Sequence, residues 1–452
     1  MRPTAQFNLF TTLMMLALQM LPINHAIAND LLRGPYLQNQ SPSELTIRWR
    51  TSQAVNSRLW WGKNQGELTH QSGADSLTTE HSLTITGLTP ATVYHYAIGY
   101  DQTLLAGNDP THFFTTPPMH GETSPVRFWV LGDSGTGNND ALAVRDAYLQ
   151  YSTQQPTHLW FMLGDNAYPL GTDEEYQSAV FDMYPQILRQ STLWPTIGNH
   201  DAANADSVTG TGVYYELFTL PHQANSTGHG IGADSGTEAY YSFNYANIHF
   251  IILDSDETLP SFRQAQLDWL QSDLMLNQAD WTIAMWHHPP YTKGSHDSDI
   301  ESRHLHMREH ILPVLESHGV DLVLGGHSHS YERSWLIDGH YGHSNTFDTD
   351  HIVNDGSGNP HIDTAYVKPP AGVMSHQGTV YVVAGSSGKT SSTQGVAHPA
   401  MRNIEALREL GSMVVEINGL SLTAQFLRAD GQIEDLFTVI KNDALFNNSF
   451  DD

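Results

Sequence analysis

The sequence predicts two consecutive folds, an all-β region at 31–117 and an α/β region after it. In the first region, short strands that alternate apolar and polar residues recur at close spacing. After residue 126, apolar strands alternate with helical stretches instead. Polar motifs follow several of those apolar strands, and the ends of strands in α/β sheets are where ligands bind. The same pattern therefore predicts both an architecture and the place of its chemistry.

Five short segments carry the all-β prediction, at 45–49, 58–62, 82–85, 92–98 and 112–114. Strands at this spacing are typical of a β-sandwich. Trp49 as a core tryptophan, with Tyr94 and Tyr96 after a turn, resembles a fibronectin type III domain. The stretch 119–125 is predicted to be a linker from Pro118 before it and from Gly121 and Pro125 within it.

In the second region the predicted strands are nearly continuous apolar runs, which indicates burial on both faces. They lie at 127–131, 157–163, 249–253, 281–286, 320–324 and 379–384. Helices are predicted at 266–276 and 307–317, from apolar residues at helical spacing. Near the end, 412–417 and 421–427 around Asn418-Gly419 predict a hairpin, followed by a last strand at 437–440.

Composition narrows the classes of chemistry. The 452 residues carry a formal charge of −28, so the chain repels nucleic acid and anionic lipid at long range, and neither is an expected partner. There is no cysteine, which excludes disulfides, thiolate metal sites and cysteine nucleophiles. With 26 histidines, a transition-metal site would use imidazole, carboxylate, amide or phenolate ligands.

The N-terminus predicts a secretory signal peptide at 1–28. Arg2 precedes an apolar run at 9–23, and Ala26-Ile27-Ala28 matches the small-x-small cleavage pattern. An uncleaved anchor helix is the alternative, although Gln19 and Pro22 interrupt the run. The expected location of the mature chain is the periplasm or the medium, with no membrane attachment after cleavage.

Five polar motifs stand directly after predicted strands. They are Gly132-Asp133-Ser134-Gly135, Gly164-Asp165-Asn166-Ala167-Tyr168, Gly198-Asn199-His200-Asp201, His287-His288-Pro289-Pro290-Tyr291 and Gly325-Gly326-His327-Ser328-His329. Each motif alone is explained as well by a turn or a strand cap. All five in this order are not, and the glycine beside the polar residues of four of them allows close approach of the backbone to a ligand.

Together the motifs supply seven oxygen or nitrogen donors: Asp133, Asp165, Tyr168, Asn199, His287, His327 and His329. A single metal ion would not need so many. Two ions that share one carboxylate would, with three further ligands each. His288 is expected to point away from the site, because residues alternate in direction along a strand.

This ordered set resembles the calcineurin-like metallophosphoesterases. Tyr168, three residues after Asp165, and the run Tyr331-Glu332-Arg333-Ser334 after the last motif resemble the purple acid phosphatases in particular. The resemblance implies an α/β sandwich of two mixed β-sheets flanked by helices, preceded by the fibronectin III-like sandwich. The implied domains are 31–118 and 124–442.

The resemblance also assigns roles to residues. Asp133, Tyr168 and His329 would hold Fe(III), Asn199, His287 and His327 would hold a second ion of Fe, Zn or Mn, and Asp165 would bridge the two. His200 and His296 would contact the phosphate or protonate the leaving group. The sequence departs from the family at Asp201, where plant-type members usually have Glu, and in a long insertion at 338–378.

The function implied is hydrolysis of phosphomonoesters by attack of a metal-bound hydroxide, with an acidic pH optimum. One alternative is a phosphodiesterase or nucleotide hydrolase on the same fold. Another is a surface binding protein that keeps the fold without its chemistry, against which the complete ligand set argues. The insertion at 338–378 is interpreted as a solvated loop or as a lid over the site.

Overall fold

The structure, a computed structural model, describes Met1 and residues 30–222, 232–370, 376–393, 395–402 and 407–442. The predicted signal peptide lies outside the described residues except for Met1. Within the described part of the chain, no helix has the length and apolar character needed to cross a membrane.

Residues 31–115, named here the β-region, form one antiparallel sheet. Its strands are β1 Leu31–Gln38, β2 Leu45–Gly62, β3 His70–Ile85, β4 Val93–Tyr100, β5 Thr103–Gly107 and β6 Phe113–Thr115. The strand order is β1-β2-β4-β5, with β3 paired to β2 and β6 paired to β4. Trp49 is buried among the aliphatic and aromatic side chains of these strands, which confirms an all-β N-terminal region with a tryptophan core.

The β-region differs from the sequence prediction in strand length. The segments predicted at 45–49 and 58–62 belong to one strand, because the polar residues between them keep their pairing to β3 across two register shifts. Ladder hydrogen bonds hold this part of the hairpin where it has left the core, so apolar alternation is not required there. Strand β1 was also not predicted.

Strand β1 and its neighbours pack against the following region. The Tyr36 ring lies 4.8 Å from the Phe181 ring, and the Tyr36 hydroxyl donates to the Leu217 carbonyl at 2.8 Å. The buried Arg33 donates to Gln177 and to Asp173, at 2.8 and 3.0 Å. The β-region is therefore joined to the rest of the molecule by both apolar and charged contacts.

The remaining described residues, named here the two-sheet region, contain the other strands. They are β7 Val126–Leu131, β8 Leu159–Met162, β9 Thr192–Pro195, β10 Ala205–Asp206, β11 Thr211–Gly212, β12 Tyr241–Tyr245, β13 Ile248–Ile252, β14 Trp281–Met285, β15 Leu322–Gly325, β16 Tyr331–Arg333, β17 Leu336–Ile337, β18 Ile352–Asn354, β19 Tyr366–Lys368, β20 Val380–Ala384, β21 Gly411–Asn418, β22 Ser421–Arg428 and β23 Ile433–Lys441.

The helices lie outside the sheets and are mostly short. They are α1 Asn139–Tyr151, α2 Asp173–Tyr176, α3 Pro185–Leu188, α4 Val213–Leu217, α5 Pro260–Leu276, α6 Ser302–His306 and α7 Leu312–Ser317, with π-helical turns at Gln177–Phe181 and Met307–Ile311. The predicted helix at 307–317 is thus a π-turn continued by α7. Helix α1 was missed, although Asn138 before it caps the Asp140 and Ala141 amides at 3.0 Å.

Two mixed sheets face each other, as the family resemblance implies. One has the order β12-β13-β14-β15-β20-β16 and the other β19-β23-β22-β21-β7-β8-β9. Between them Phe128 meets Phe250 with ring centroids 5.3 Å apart, and Trp194 stacks on Phe243 at 3.8 Å. Strands β7, β8 and β9 are parallel in one sheet, and β13, β14, β15 and β20 are parallel in the other. The domain boundaries at 31–118 and 124–442 stay a prediction.

The insertion at 338–378 is a solvated loop only in part, because residues between 339 and 364 are largely exposed but the segment that follows is packed. Its strand β19 adds to the edge of a sheet beside β23, and Tyr366 in it is buried. The buried Lys368 pairs with Asp321 at 2.8 Å. Ser344 donates its backbone amide to Asp299 at 2.9 Å, which ties the insertion to the loop that carries His296. Residues 371–375 lie outside the described part.

Candidate metal centre

The carboxyl ends of parallel strands from both sheets converge on one place. Asp133 follows β7, Asp165 follows β8 and His327 follows β15, and all three have a positive φ, of 55°, 52° and 63°. Non-glycine residues are uncommon in this left-handed region and gather at functional sites, where the surrounding structure holds them. The backbone itself is thus shaped to turn these side chains inward.

Glycine is required beside two of these turns because other atoms lie too close for a side chain. A Cβ at Gly164, whose φ is +87°, would stand 2.6 Å from His287 Nδ1. A Cβ at Gly198 would stand 2.2 Å from the Asp165 backbone nitrogen. The glycines of the motifs therefore allow the loops after β8, β9 and β14 to touch.

One half of the cluster contains Asp133, Asp165, Tyr168 and His329. The Tyr168 hydroxyl lies 3.1 Å from Asp133 Oδ1 and 2.9 Å from Asp165 Oδ2, so it can donate to either carboxylate. His329 Nε2 lies 3.6 Å from Asp133 Oδ1 and 3.5 Å from the Tyr168 hydroxyl. Its other ring nitrogen is bonded to Ser391 Oγ at 2.8 Å, which directs Nε2 toward the cluster.

The other half contains Asn199, His287 and His327 around the same Asp165. His287 Nε2 lies 3.3 Å from Asp165 Oδ1 and 3.1 Å from Asn199 Oδ1. Its Nδ1 bonds the Leu163 carbonyl at 2.8 Å, and only an N–H can do so, which leaves the Nε2 position facing inward. His327 Nδ1 is 3.2 Å from His287 Nε2.

All seven predicted donors are therefore together, in two groups that share Asp165. They are named here the candidate centre: Asp133, Asp165, Tyr168, Asn199, His287, His327 and His329. Their roles as ligands stay a prediction, since the distances describe side chains and no ion.

The electrostatics of the candidate centre indicate a missing positive charge. Burial, with Asp165 nearby, raises the pKa of Asp133 to about 8. Burial acts in the same direction on Asp165, but attraction and hydrogen bonding to His287 lower its pKa below the usual range. Burial opposes the protonation of His287, yet Asp165 raises its pKa to about 10. In this cluster the positive charge of a protonated His287 interacts favourably with two buried carboxylates, those of Asp133 and Asp165.

Metal ions fit this donor set. His327 Nδ1 and His287 Nε2 lie 3.2 Å apart, so both nitrogens point to the same place, where a bound cation could replace the proton that His287 carries. Burial and both carboxylates raise the pKa of Tyr168 well above its usual value, and a bound cation reverses preferences of this kind. Oxygen and imidazole donors without sulfur suit iron, zinc or manganese.

His200 and His296 lie at the mouth of the candidate centre. His200 Nδ1 bonds the Pro169 carbonyl at 2.6 Å, and its Nε2 is 3.9 Å from Asp165 Oδ2. The His296 ring lies 3.8 Å from the His327 ring, and about a third of each of the two mouth side chains is exposed. Both can reach a group bound at the centre and also solvent.

The expectation for His288 was wrong. Strand β14 ends at Met285, so the alternation does not extend to His288, and its ring lies 4.3 Å from the His327 ring. Its Nδ1 instead bonds Ser255 Oγ at 2.8 Å. What distinguishes His287 is that its Nε2 faces Asp165 and Asn199.

Asp201, where the sequence departs from plant-type relatives, points into the protein. It accepts hydrogen bonds from the backbone amides of Gly198 and Asn166, at 2.8 and 3.1 Å, and from the Tyr176 hydroxyl at 2.5 Å. These bonds join the second motif to the third, so Asp201 positions the loops.

Sequence reasoning missed Glu301. One carboxylate oxygen lies 3.5 Å from His327 Nε2 and 3.6 Å from His304 Nε2, and His296 Nδ1 bonds the same carboxylate at 3.0 Å. A carboxylate behind a ligand imidazole sets its tautomer and orientation. Glu301 thereby directs His327 Nδ1 into the candidate centre. Its place five residues after His296 was the available clue.

Comparisons with known proteins agree with this geometry. A family model described as calcineurin-like phosphoesterase matches residues 126–331, and one described as purple acid phosphatase, N-terminal domain, matches 34–116. Purple acid phosphatase 15 of Arabidopsis thaliana is 27% identical over 323 residues, which cover 62% of this chain and 57% of that protein. Purple acid phosphatase 22 of the same plant is 28% identical over 302 residues, which cover 64% and 62%.

Solved structures share the fold. A purple acid phosphatase from yellow lupin seeds superposes with a TM-score of 0.68 at 16% identity, over 91% of this chain and 75% of that one. A structure titled PhoD gives 0.61 at 14% identity, over 91% of both chains.

Fold and site together define a calcineurin-like phosphoesterase. The two family models match more than half of the residues between them, one for each region. In both regions the chain is similar to purple acid phosphatases. In these alignments it spans less than two thirds of the length of the two Arabidopsis relatives.

Proposed function

We propose that this chain is an exported acid phosphatase that hydrolyses phosphomonoesters at a centre of two metal ions. The observation that supports this most directly is the sharing of Asp165. Its two oxygens face different donor groups, with Tyr168 on one side and His287 on the other. A carboxylate placed in this way can bridge two ions.

The side chains fit two different ions. Asp133, Tyr168 and His329 would hold the first, for which we propose Fe(III) because a phenolate is a hard anionic donor. Asn199, His287 and His327 would hold a divalent ion of iron, zinc or manganese. When bound, the ions supply Lewis-acid chemistry: they polarise the phosphoryl group and acidify water.

The mouth histidines supply the proton for the leaving group. The His200 Nδ1 hydrogen is engaged by the Pro169 carbonyl, so Nε2 can donate only from the imidazolium form. Glu301 accepts a hydrogen bond from His296 Nδ1 at 3.0 Å and so fixes the orientation of that ring. Acidic solution favours imidazolium, which is why we expect a low pH optimum.

A visible spectrum tests the iron assignment. Protein purified with iron should show a broad phenolate-to-iron band, and Tyr168→Phe should abolish it. Tyr151→Phe is the matched control, since this tyrosine lies in the same region with its hydroxyl on Gln425. A colourless protein that still binds two metal ions would remove Fe(III) from the proposal.

Substrate class is tested with chromogenic esters. We expect p-nitrophenyl phosphate to be hydrolysed with a higher kcat/KM than bis(p-nitrophenyl) phosphate at acidic pH, and removal of metal by a chelator to abolish both activities. The reverse preference would establish the phosphodiesterase alternative. Retention of both activities by the metal-free chain would exclude a metal-dependent mechanism.

Export is tested separately. Mass spectrometry of the protein recovered outside the cytoplasm should show a chain that begins at Asn29. Recovery of the intact chain in the membrane fraction would instead support the uncleaved anchor helix.

A further inference from the structure

A sixth strand end borders the candidate centre, and the motifs do not include it. Strand β20 is parallel to β15 and is followed by residues 385–391, named here the 385–391 loop. Its residues Gly385-Ser386-Ser387-Gly388-Lys389 combine two glycines with one cation. The geometry that gathers the other motifs brings this loop to the same edge.

The loop is held at both ends by the loops of the candidate centre. The Gly385 amide donates to the Ser330 carbonyl and the Ser387 amide to the Gly132 carbonyl, each at 3.1 Å. At the other end the Ser391 amide donates to the His329 carbonyl at 3.2 Å, and Ser391 Oγ meets the His329 ring. The backbone that carries Lys389 is therefore fixed relative to the ligands.

Lys389 places its ammonium against Tyr168. Its Nζ lies 3.7 Å from the centroid of the Tyr168 ring, and the residue is partly buried. The carboxylates of Asp133 and Asp165 attract this charge from a greater distance. The ammonium therefore lies beside one member of the candidate centre and within the electrostatic influence of two others.

Three of the other four lysines of this acidic chain have acidic partners. Lys293 pairs with Asp299 at 2.8 Å, and Lys368 and Lys441 both pair with Asp321, at 2.8 and 2.7 Å. For Lys389, by contrast, no carboxylate of the described residues lies within 4.0 Å of the ammonium. Its three donors are available to an anion at the centre.

We propose that Lys389 binds the non-bridging phosphoryl oxygens of the substrate and favours the dianionic phosphomonoester over the monoanionic diester. This deepens the proposed function and rests on it. An ammonium attracts a doubly charged phosphoryl group more strongly than a singly charged one, and charge-assisted bonds to phosphate are the stronger kind. Lys389 is thus a specificity-determining residue.

The test compares Lys389→Met, Lys389→Gln, Lys389→Arg and Lys63→Met with the unchanged chain. Lys63 is the matched control: its Nζ also lies over a tyrosine ring, 5.9 Å from the Tyr94 centroid, but in the β-region. Each protein is loaded with metal, and its metal content is measured. Calorimetry then gives the Kd for inorganic phosphate, and kcat/KM is measured for p-nitrophenyl phosphate and for bis(p-nitrophenyl) phosphate.

We expect Lys389→Met to keep both metal ions, to bind phosphate about tenfold more weakly and to lose about tenfold of its preference for the monoester. The change should appear in KM more than in kcat. Lys389→Arg should recover most of the phosphate affinity, and Lys63→Met should match the unchanged chain. In iron-loaded protein the phenolate band should move to longer wavelength in Lys389→Met, because a nearby cation stabilises the phenolate.

Unchanged phosphate affinity in a metal-replete Lys389→Met protein overturns the inference, even if the band moves, since Lys389 would then affect only Tyr168. Loss of metal from both Lys389→Met and Lys389→Gln overturns it as well, because the lysine would then hold the carboxylates. The experiment can refute the proposed phosphatase activity and the proposed role of Lys389 independently of each other. A chain that hydrolyses no monoester but binds phosphate through Lys389 refutes only the phosphatase activity.

Discussion

The β-region and the two-sheet region bury histidines in opposite circumstances. In the β-region His81 stacks on Trp49 at 4.8 Å, and its two nitrogens meet the hydroxyls of Thr51 and Ser57, each at 2.8 Å. At the candidate centre, the nitrogens of His287 and His327 face each other at 3.2 Å. Burial lowers the pKa of His81 to about 4, whereas Asp165 raises that of His287 to about 10.

The difference teaches how to interpret a buried polar residue. Where its partners are complete, as for His81, the residue belongs to the packing. Where like groups converge and charge is unbalanced, the protein is organised around something it binds. The comparison makes four predictions, which test whether the two regions separate stability from chemistry.

Replacing the shared carboxylate should have the largest effect. In the proposed centre, Asp165→Asn would remove a charged ligand from both metal ions, and loss of one group that stabilises charge already costs a factor of roughly 10²–10³. We expect kcat/KM for p-nitrophenyl phosphate to fall roughly 10⁴-fold, with fewer than two metal ions bound by elemental analysis. Two bound ions and an activity within tenfold of the original would show that Asp165 does not bridge.

Removing the core tryptophan of the β-region should cost stability and not chemistry. Trp49 is fully buried, and Trp49→Ala should lower the free energy of unfolding by about 3–5 kcal/mol in a denaturant titration. At a temperature where the variant is folded, kcat should stay within about twofold, because the side chain packs within the β-region. A kcat that falls as far as in Asp165→Asn would show that the two regions are not separable.

The charged contact between the regions should contribute less. Asp173 bonds the buried Arg33 and also pairs with Arg50. Asp173→Asn should cost about 1–2 kcal/mol, since about a third of the Asp173 side chain is exposed and solvent weakens the pairs. Asp75→Asn is the control, because the Asp75 side chain, which pairs with Arg58, is 92% exposed. This substitution should change stability by less than about 0.5 kcal/mol. Equal effects would mean that burial of Arg33 adds nothing.

The smallest effect concerns pH. The pKa of His81 is lower in the folded chain than in the unfolded chain. As the pH falls from 6.5 toward about 4, His81 is therefore protonated in the unfolded chain but not in the folded one. This lowers stability in acid. In His81→Gln the slope of unfolding free energy against pH should decrease there by up to about one proton. Identical slopes for both proteins would mean that acid destabilisation arises at other groups.

Much of the fold followed from local pattern. The buried strands of both sheets have apolar runs long enough to identify, and the hairpin at Gly411–Asn418 and Ser421–Arg428 follows from its turn residues. The extension of β2, the capped helix α1 and strand β19 did not follow. Each of these three elements is stabilised by backbone pairing with another segment or by packing against one. Such contacts leave no mark on the local hydrophobic pattern.

What the sequence by itself determined is the set of seven donors. Four of the five candidate ligand loops are encoded by a few consecutive residues: an apolar strand, a glycine and a polar side chain, as at Gly164-Asp165; the loop of His287 has the strand and the polar side chain without the glycine. The information is local because a strand end and a tight turn are local structures. The order of five such loops then sufficed for the family resemblance that the comparisons confirm.

Only the tertiary structure decided which residues surround that set. Glu301 reaches His327, Ser391 reaches His329, and Lys389 lies over Tyr168. These pairs are separated by 26 to 221 residues or join loops from different strands, so no spacing rule predicts them. They depend on how the two sheets face each other and bring the end of β20 beside the end of β7, a consequence of packing the whole core.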